Sequence, residues 1–190
     1  GQVMRLRDPR RFGAVLWVDG DEMKAHPLIN SLGPEPLTPD FSGEYLYQQI
    51  RARTAPIKTT VMDSHLVVGV GNIYADEALW YARINPLQEC DKLTSTQIKN
   101  IITAAKKVMT RSLKAGGTSF DSLYVNVNGE SGYFERSLAV YGQEGEPCRR
   151  CGKVIQRIAF ANRSSHFCPN CQPIPRGKRS QIKGGKRTFR

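Results

Sequence analysis

Four cysteines in the last quarter of the chain restrict its fold more than any other feature. Cys148 and Cys151 form one Cys-x2-Cys pair, and Cys168 and Cys171 form a second pair sixteen residues later. Two such pairs can bring four thiolates together around one tetrahedral ion, which is a common ligand set for structural zinc. A redox dithiol pair is the alternative that this spacing favours less. We therefore expect one structural Zn²⁺ with no open coordination position and no catalytic role.

The segment between the two pairs is suited to a β-hairpin, because apolar residues recur along it: Val154, Ile155, Ile158, Phe160 and Phe167. About thirty residues cannot form a core alone, so the metal should supply folding free energy on the order of 10 kcal/mol. His166 is a competing ligand, but four cysteines already complete the site. The fifth cysteine, Cys90, is predicted to be packed and inert. An odd cysteine count with such pairs favours a metal in a reducing compartment over a disulfide framework.

The charge of the chain favours an acidic partner. Lysine and arginine number 28 against 17 acidic residues, which gives a formal net charge of +11. Such an excess points first to DNA or RNA. Residues 174–190 hold seven of these cations and no acid, so residues 1–173 carry only +4. We expect this basic tail to be disordered and to add salt-sensitive DNA affinity. No apolar run has the length of a membrane span and no signal peptide is recognised, so a cytoplasmic protein without a membrane partner is expected.

Hydrophobic periodicity predicts a mainly helical chain after a short β segment. Residues 3–18 are expected to form two strands about a turn, the first from alternation and the second from an apolar run. Residues 20–40 are loop-like, and helices are expected over 41–53, 56–62, 72–82 and 94–115. The last helix has the clearest apolar stripe: Ile98, Ile101, Ile102, Ala105, Val108, Met109 and Leu113. Thr94 and Gln97 have capping-box spacing, and Gly116 follows the helix.

A glycine corner precedes the helix predicted over residues 72–82. Gly69 and Gly71 permit a positive φ and the close approach of a foreign backbone, and Asn72 is a good N-cap residue. The free N–H groups and positive dipole of such a helix start suit a phosphate. An ordinary turn between two packed elements is the alternative, because this glycine pattern is not selective.

Residues 62–77 resemble the helix–two-turns–helix segment of the bacterial formamidopyrimidine-DNA glycosylase family. Residues 8–13, residues 33–37 and the four-cysteine segment resemble the same family in the same order, so the resemblance covers about residues 3–173. It implies a mainly α fold, a helix–two-turns–helix bundle with a β-hairpin zinc finger, preceded by a fragment of a β-sandwich. The implied divisions are residues 1–33 for the end of the sandwich, 34–142 for the helical DNA-binding domain, 143–173 for the zinc finger and 174–190 for the tail.

The resemblance implies DNA contacts at seven positions: Arg10, Arg11, Phe12, Lys58, Gly71, Asn72 and Arg163. Phe12 would act as a wedge between base pairs, and Arg10 would face the orphaned cytosine. Taken without the resemblance, Phe12 is more simply a core aromatic of a hairpin. Lys58 and Asn72 would contact phosphates, and Arg163 would reach the groove from the finger tip. Residues 116–132 match the base-capping loop by position.

The resemblance also implies base-excision repair of double-stranded DNA that contains an oxidised base or an abasic site. The family is a DNA glycosylase and AP lyase for oxidised purines such as 8-oxoguanine and formamidopyrimidines. Its nucleophile is an N-terminal proline beside a glutamate, whereas this sequence reads Gly1-Gln2-Val3 at that end. We therefore expect no catalytic residue in these 190 positions, and a monomer associated with the bacterial nucleoid. A non-catalytic zinc-containing DNA-binding protein is one alternative, and an endonuclease VIII-type glycosylase for oxidised pyrimidines is another.

Overall fold

The structure is a computed structural model that describes residue 3 and residues 15–23, 25–117 and 137–178. The chain divides into two compact units, residues 1–32 and residues 33–190. None of the helices in the described ranges is long and apolar enough to cross a membrane. Arg10, Arg11, Phe12, most of the 116–132 loop and most of the basic tail lie outside the described residues.

In the described part of the first unit there is one short helix, α1, over Pro27–Asn30. His26 is its N-cap, its ring Nδ1 accepts a hydrogen bond from the Leu28 N–H, and proline occupies the first helical position, where no N–H is needed. The strands predicted over residues 3–18 are not confirmed. Residues 15–18 belong to no strand in the described part of the chain, and Trp17 is 96% exposed there.

The second unit contains the helical elements expected from the sequence. These are α2 over Gly43–Ile50, α3 over Ile57–Val61, α4 over Asn72–Ala82 and α5 over Ser95–Lys114, with a 3₁₀ turn over Cys90–Lys92. Two antiparallel strands follow, β1 over Gln156–Phe160 and β2 over Arg163–Phe167, paired from Gln156 with Phe167 to Phe160 with Arg163. The predicted hairpin between the cysteine pairs is therefore confirmed, and α2 is shorter than the predicted helix.

The ends of the helices follow from local hydrogen bonding. Thr94 and Gln97 form the predicted capping box, in which the Thr94 hydroxyl accepts from the Gln97 N–H and the Gln97 side chain accepts from the Thr94 N–H. Ser42 caps α2 by accepting from the Tyr45 N–H at 3.1 Å. The α5 stripe is buried as predicted through Val108, whereas Leu113 is 68% exposed. The apolar face of α5 therefore stops about one turn before the helix does.

The glycine corner depends on a positive φ at Gly69 and on a close approach of backbone at Gly33. Gly69 has a φ of +76°, which favours glycine, and the turn that it makes leads into α4. Gly33 packs on the peptide between Leu66 and Val67, because a Cβ placed on Gly33 would lie 2.3 Å from the Leu66 carbonyl carbon. The Gly33 N–H also donates to the Ser64 carbonyl, and the Val68 N–H donates to the Pro34 carbonyl. Residues 33 and 34 therefore brace the corner from outside.

The core of this unit lies around α4 and α5, which pack along each other. Every residue of α4 from Ala75 to Trp80 is buried, as expected for a helix that is surrounded by other elements. The core residues include Leu46 and Ile50 of α2, Ile57 of α3, and Ile98 and Ile101 of α5. Two acidic residues, Asp76 and Glu77, are buried on α4 within this stretch. Acidic groups are almost never fully buried unless they are paired, so their partners define the tertiary structure.

Glu77 binds the backbone of residues 139–141. The Ala139 N–H donates to both carboxylate oxygens at 3.0 and 2.9 Å, and the N–H groups of Val140 and Tyr141 donate to Oε1 at 2.8 and 3.0 Å. Burial raises the pKa of the Glu77 carboxyl, and the three backbone donors oppose that rise. Three successive N–H groups around one carboxylate form an anion nest whose anion is part of the protein.

We expect Glu77→Gln to lower the free energy of unfolding by about 1–3 kcal/mol, because the amide NH₂ would face N–H donors and leave a buried donor unsatisfied. Urea denaturation of the purified chain measures this loss. Glu44→Gln is the matched control, since Glu44 is exposed on α2 and accepts a hydrogen bond from the Gln48 side chain. It should change stability by less than about 0.5 kcal/mol. Equal stability of the Glu77 variant and the parent chain would contradict this role.

Candidate nucleic-acid interface

The start of α4 offers an open backbone to a ligand. Gly71, not Asn72 as predicted, is the N-cap, and as a glycine it has no side chain that could cap the first turn. Gly71 has an ordinary φ of −86°, and a Cβ built on it would meet nothing within 4 Å. Asn72 is instead the first helical residue, and its side-chain oxygen is buried with no hydrogen-bond partner among the described residues.

The tip of the hairpin presents Arg163. Ala161 and Asn162 both have positive φ values, 42° and 61°, as a two-residue turn of type I′ requires. Arg163 follows the turn as the first residue of β2, and its side chain is exposed. A guanidinium in this position can bind two phosphate oxygens at once. The hairpin holds the backbone of Arg163, which lowers the entropy cost of presenting it.

Lys58 is placed differently from the other predicted contacts. It lies in α3, near the helix start as predicted, but it is 0% exposed. Its Nζ lies 2.7 Å from Asp76 Oδ1 and donates to the Ser164 carbonyl at 2.9 Å. Burial lowers the pKa of Lys58, the Asp76 carboxylate acts against this, and the charge of Arg163 lowers it further. The ammonium therefore faces the interior of the protein and lies within electrostatic reach of the tip arginine.

Asp76 is the centre of the polar cluster that contains Lys58. Its Oδ1 accepts from the Ser165 hydroxyl at 2.8 Å as well as from Lys58, and its Oδ2 accepts from the His166 N–H at 2.9 Å. The His166 ring nitrogen Nδ1 lies 3.4 Å from the same oxygen. The imidazole that was considered as a competing metal ligand therefore faces Asp76.

The four predicted cysteines form one compact thiol cluster. All four sulfur atoms lie within 4.8 Å of one another, with 4.0 Å between Cys148 and Cys171 and 3.4 Å between Cys151 and Cys168. Four sulfurs at about 2.3 Å from a tetrahedral zinc ion would be roughly 3.8 Å apart, so this cluster fits the ion. Hydrogen bonds from the Lys153 backbone and the Asn170 side chain lower the pKa of Cys151 to about 6, which favours its thiolate. Three of the four thiols are buried and the set is complete, so the site suits a structural ion.

Each cysteine pair is also fastened to the segment around the end of α4. Arg150, inside the first pair, stacks 3.9 Å above the Trp80 ring and donates to the Trp80 carbonyl at 3.0 Å. Gln172, after the second pair, is fully buried; its amide donates to the Ile84 carbonyl and accepts from the Cys168 N–H. The Asn85 amide donates to the Gln172 carbonyl at 2.9 Å. The finger is therefore held to the helices by polar contacts as well as by packing.

The structure brings some of the predicted site residues together and leaves others out. The four cysteines meet, and the elements that carry Asn72 and Arg163, α4 and β2, pack against each other through Asp76. Arg10, Arg11 and Phe12 lie outside the described residues. Sequence reasoning missed the structural roles of Asp76, Glu77 and Gln172. For the two acids, the available signal was that they interrupt a run of mostly apolar residues in α4.

Two family models match the described elements. The model of the formamidopyrimidine-DNA glycosylase H2TH domain, which is the helix–two-turns–helix domain, matches residues 32–123. The model of the zinc finger found in FPG and IleRS matches residues 145–174. The first match contains α2 to α5 and the glycine corner, and the second contains the four cysteines and the hairpin. The cysteine cluster is therefore a zinc finger of the FPG type.

Relatives of known sequence match nearly the whole chain. The chain is 50% identical over 180 residues to the formamidopyrimidine-DNA glycosylase of Nocardioides sp. (strain ATCC BAA-499 / JS614), covering 95% of this chain and 61% of that protein. It is 49% identical to the formamidopyrimidine-DNA glycosylase of Mycobacterium avium (strain 104), covering 93% of this chain and 63% of that protein. The chain thus spans about three fifths of the length of these relatives.

Solved structures give the same result. The MutM (Fpg) protein from Thermus thermophilus matches with a TM-score of 0.80 and 38% identity over 88% of this chain and 64% of that one. Lactococcus lactis Fpg, solved in complex with DNA containing an abasic site, matches with a TM-score of 0.76 and 36% identity over 83% of this chain and 57% of that one. Fold, zinc-finger pattern and sequence identity agree, and the chain belongs to the formamidopyrimidine-DNA glycosylase family, of which it carries the H2TH domain and the zinc finger.

Proposed function

We propose that this chain is the DNA-binding part of a base-excision repair enzyme, a DNA glycosylase and AP lyase for oxidised purines. The observation that carries the proposal is that the open start of α4 and the exposed Arg163 belong to elements joined at Asp76. Two anion-binding groups held in this way suit successive phosphates of one duplex better than a small ligand. The complex of Lactococcus lactis Fpg with DNA supports the same partner for this chain.

The proposed contacts divide into two sets. Gly71, Asn72 and Arg163 bind the sugar-phosphate backbone, through N–H groups of the helix start and through the guanidinium. Arg10, Arg11 and Phe12 enter the duplex where the damaged base leaves the stack, and residues 116–132 cover the extruded base. This second set rests on the family resemblance, and it assigns 8-oxoguanine and formamidopyrimidines as the bases that are excised.

The catalytic step is proposed to need a group outside these 190 residues. In the family an N-terminal proline amine attacks the sugar carbon and forms a Schiff base, and an amine must be neutral and well placed to do so. The lysine that could replace it, Lys58, is buried against Asp76. We therefore propose that the chain binds damaged DNA but does not cleave it, as a monomer on the bacterial nucleoid. The proposed domain division is residues 1–33, 34–142, 143–173 and 174–190.

Removing the metal should separate the finger from the helices. We expect one Zn²⁺ per chain, and we expect chelation to weaken DNA binding at least tenfold while most of the α-helical circular dichroism at 222 nm remains. The reason is that the core around α4 and α5 does not include the four metal-binding cysteines. Metal content, circular dichroism and the affinity for a duplex with an abasic-site analogue are measured together. Cys90→Ser is the control and should retain one zinc, and undiminished DNA binding by metal-free protein would reject this role.

Arg163 should contribute one phosphate contact. We expect Arg163→Ala to weaken binding to the same duplex about tenfold and to reduce the slope of log K against log salt by about 1, because one fewer counterion is released. The matched control is Arg157→Ala on the same hairpin, since Arg157 pairs with Glu144 at 3.6 Å at the surface. An unchanged slope for Arg163→Ala would show that this side chain does not neutralise a phosphate.

Borohydride trapping tests the catalytic part of the proposal. A protein with the family's proline start should form a covalent adduct with DNA containing 8-oxoguanine, and these 190 residues should bind the DNA without forming one. An adduct with these residues would place a nucleophile inside them and contradict the assignment. Trapping on oxidised pyrimidines by the protein with the proline start distinguishes the endonuclease VIII-type alternative. Absence of any adduct in both proteins would favour the non-catalytic DNA-binding protein.

A further inference from the structure

We infer that Lys58 is a positioning residue, which fixes the hairpin tip relative to the start of α4, and that it is not a phosphate contact. The inference rests on the proposed DNA-binding function for its consequence, but its structural part does not. A lysine that binds phosphate needs an ammonium at the surface, whereas the Lys58 side chain is 0% exposed. Its ammonium has a carboxylate, a carbonyl and an aromatic ring as neighbours, all of them within the protein.

The neighbours of the ammonium flank the hairpin turn. Nζ donates to the carbonyl of Ser164 in β2 at 2.9 Å and lies 5.3 Å from the ring centroid of Phe160, the last residue of β1. The turn between the strands and Arg163 therefore lie directly beyond the point where Lys58 holds both strands. A two-stranded ribbon is only marginally stable by itself, so a contact at the base of its turn limits how far the tip can swing.

The other side of Lys58 connects to the start of α4. Asp76 lies four residues after Asn72, about one helical turn, and its carboxylate binds Lys58, the Ser165 hydroxyl and the His166 N–H. One buried carboxylate thus joins α3, α4 and β2. A buried ion pair adds little net stability relative to apolar packing, but it requires one arrangement of its partners. Here that arrangement sets the distance between the two proposed phosphate-binding groups.

An outward swing of Lys58 to a phosphate would break this arrangement. It would leave the Asp76 carboxylate buried without its cation, which is strongly unfavourable. It would also remove the donor that the Ser164 carbonyl uses, next to the arginine that the duplex is proposed to bind. Direct contact with DNA and positioning of Arg163 therefore exclude each other for this side chain, and they predict different results.

Hydrogen exchange tests the structural part without DNA. In zinc-loaded protein, Lys58→Met should accelerate amide exchange in residues 156–167 at least tenfold and leave α5 unchanged. Lys92→Met is the matched control, since Lys92 forms an exposed ion pair with Asp91 and should leave the hairpin unchanged. If Lys58→Met does not fold, the double variant Lys58→Met/Asp76→Asn, which removes both charges, is used in its place. Its hairpin amides should still exchange faster than those of the parent chain. Unchanged exchange in the folded variant would overturn the inference.

A double-mutant cycle with Arg163→Ala tests the consequence for DNA. If Lys58 acts by positioning Arg163, each single variant should weaken DNA binding about tenfold. The double variant should then bind DNA at most about threefold more weakly than the single variant with the lower affinity. The salt slope should fall by about 1 in total. Losses that multiply, with a total slope change of about 1.8, would mean that Lys58 binds its own phosphate, and would overturn the inference. Failure of the parent chain to bind DNA would reject the proposed function, while faster hairpin exchange would still assign Lys58 its structural role.

Discussion

The buried carboxylate of Asp76 is the interaction on which the arrangement of the helical core and the zinc finger depends. It accepts hydrogen bonds from Lys58, Ser165 and the His166 backbone, so its charge is compensated inside the protein. The next residue, Glu77, points to a different side of α4 and binds residues 139–141. Successive helical residues diverge by about 100°. Two adjacent acids can therefore hold two separate segments against one helix.

Metal and helices stabilise the finger in different ways. The thiol cluster closes the knuckles locally, whereas contacts with the helical part determine where the hairpin lies. The apolar side of the hairpin packs on Leu87, which follows α4, through Ile158, Phe160 and Phe167. A two-stranded sheet needs such a partner to be stable in water. The cysteine cluster therefore closes the finger locally, and α4 with the segment after it gives the finger its orientation.

Local signals predicted the elements well, and long-range pairings were not accessible to them. The capping box at Thr94, the stripe of α5 and the cysteine spacing are each read within about twenty residues. The structure confirms the capping box, the four-cysteine cluster and the stripe as far as Val108. Ser164, whose carbonyl accepts a hydrogen bond from Lys58, lies 106 residues away in the sequence. Hydrophobic periodicity cannot predict a contact over such a separation. The acids of α4 lie beyond its first turn and serve tertiary contacts, which local spacing does not predict. The strand over residues 12–18 was expected from an apolar run alone, which cannot supply the neighbouring strand that a sheet requires.

The amide of Gln172 has a consequence for transplanting this zinc finger into another protein. It is completely buried, accepts a hydrogen bond from the Cys168 N–H and donates one to the Ile84 carbonyl. The backbone carbonyl of Gln172 accepts a further hydrogen bond from the Asn85 side chain. A graft of residues 145–174 alone would expose these polar groups to water and leave the hairpin free to rotate on its new host. A functional chimaera therefore has to include the surface around Ile84 and Asn85 that Gln172 contacts, along with the finger.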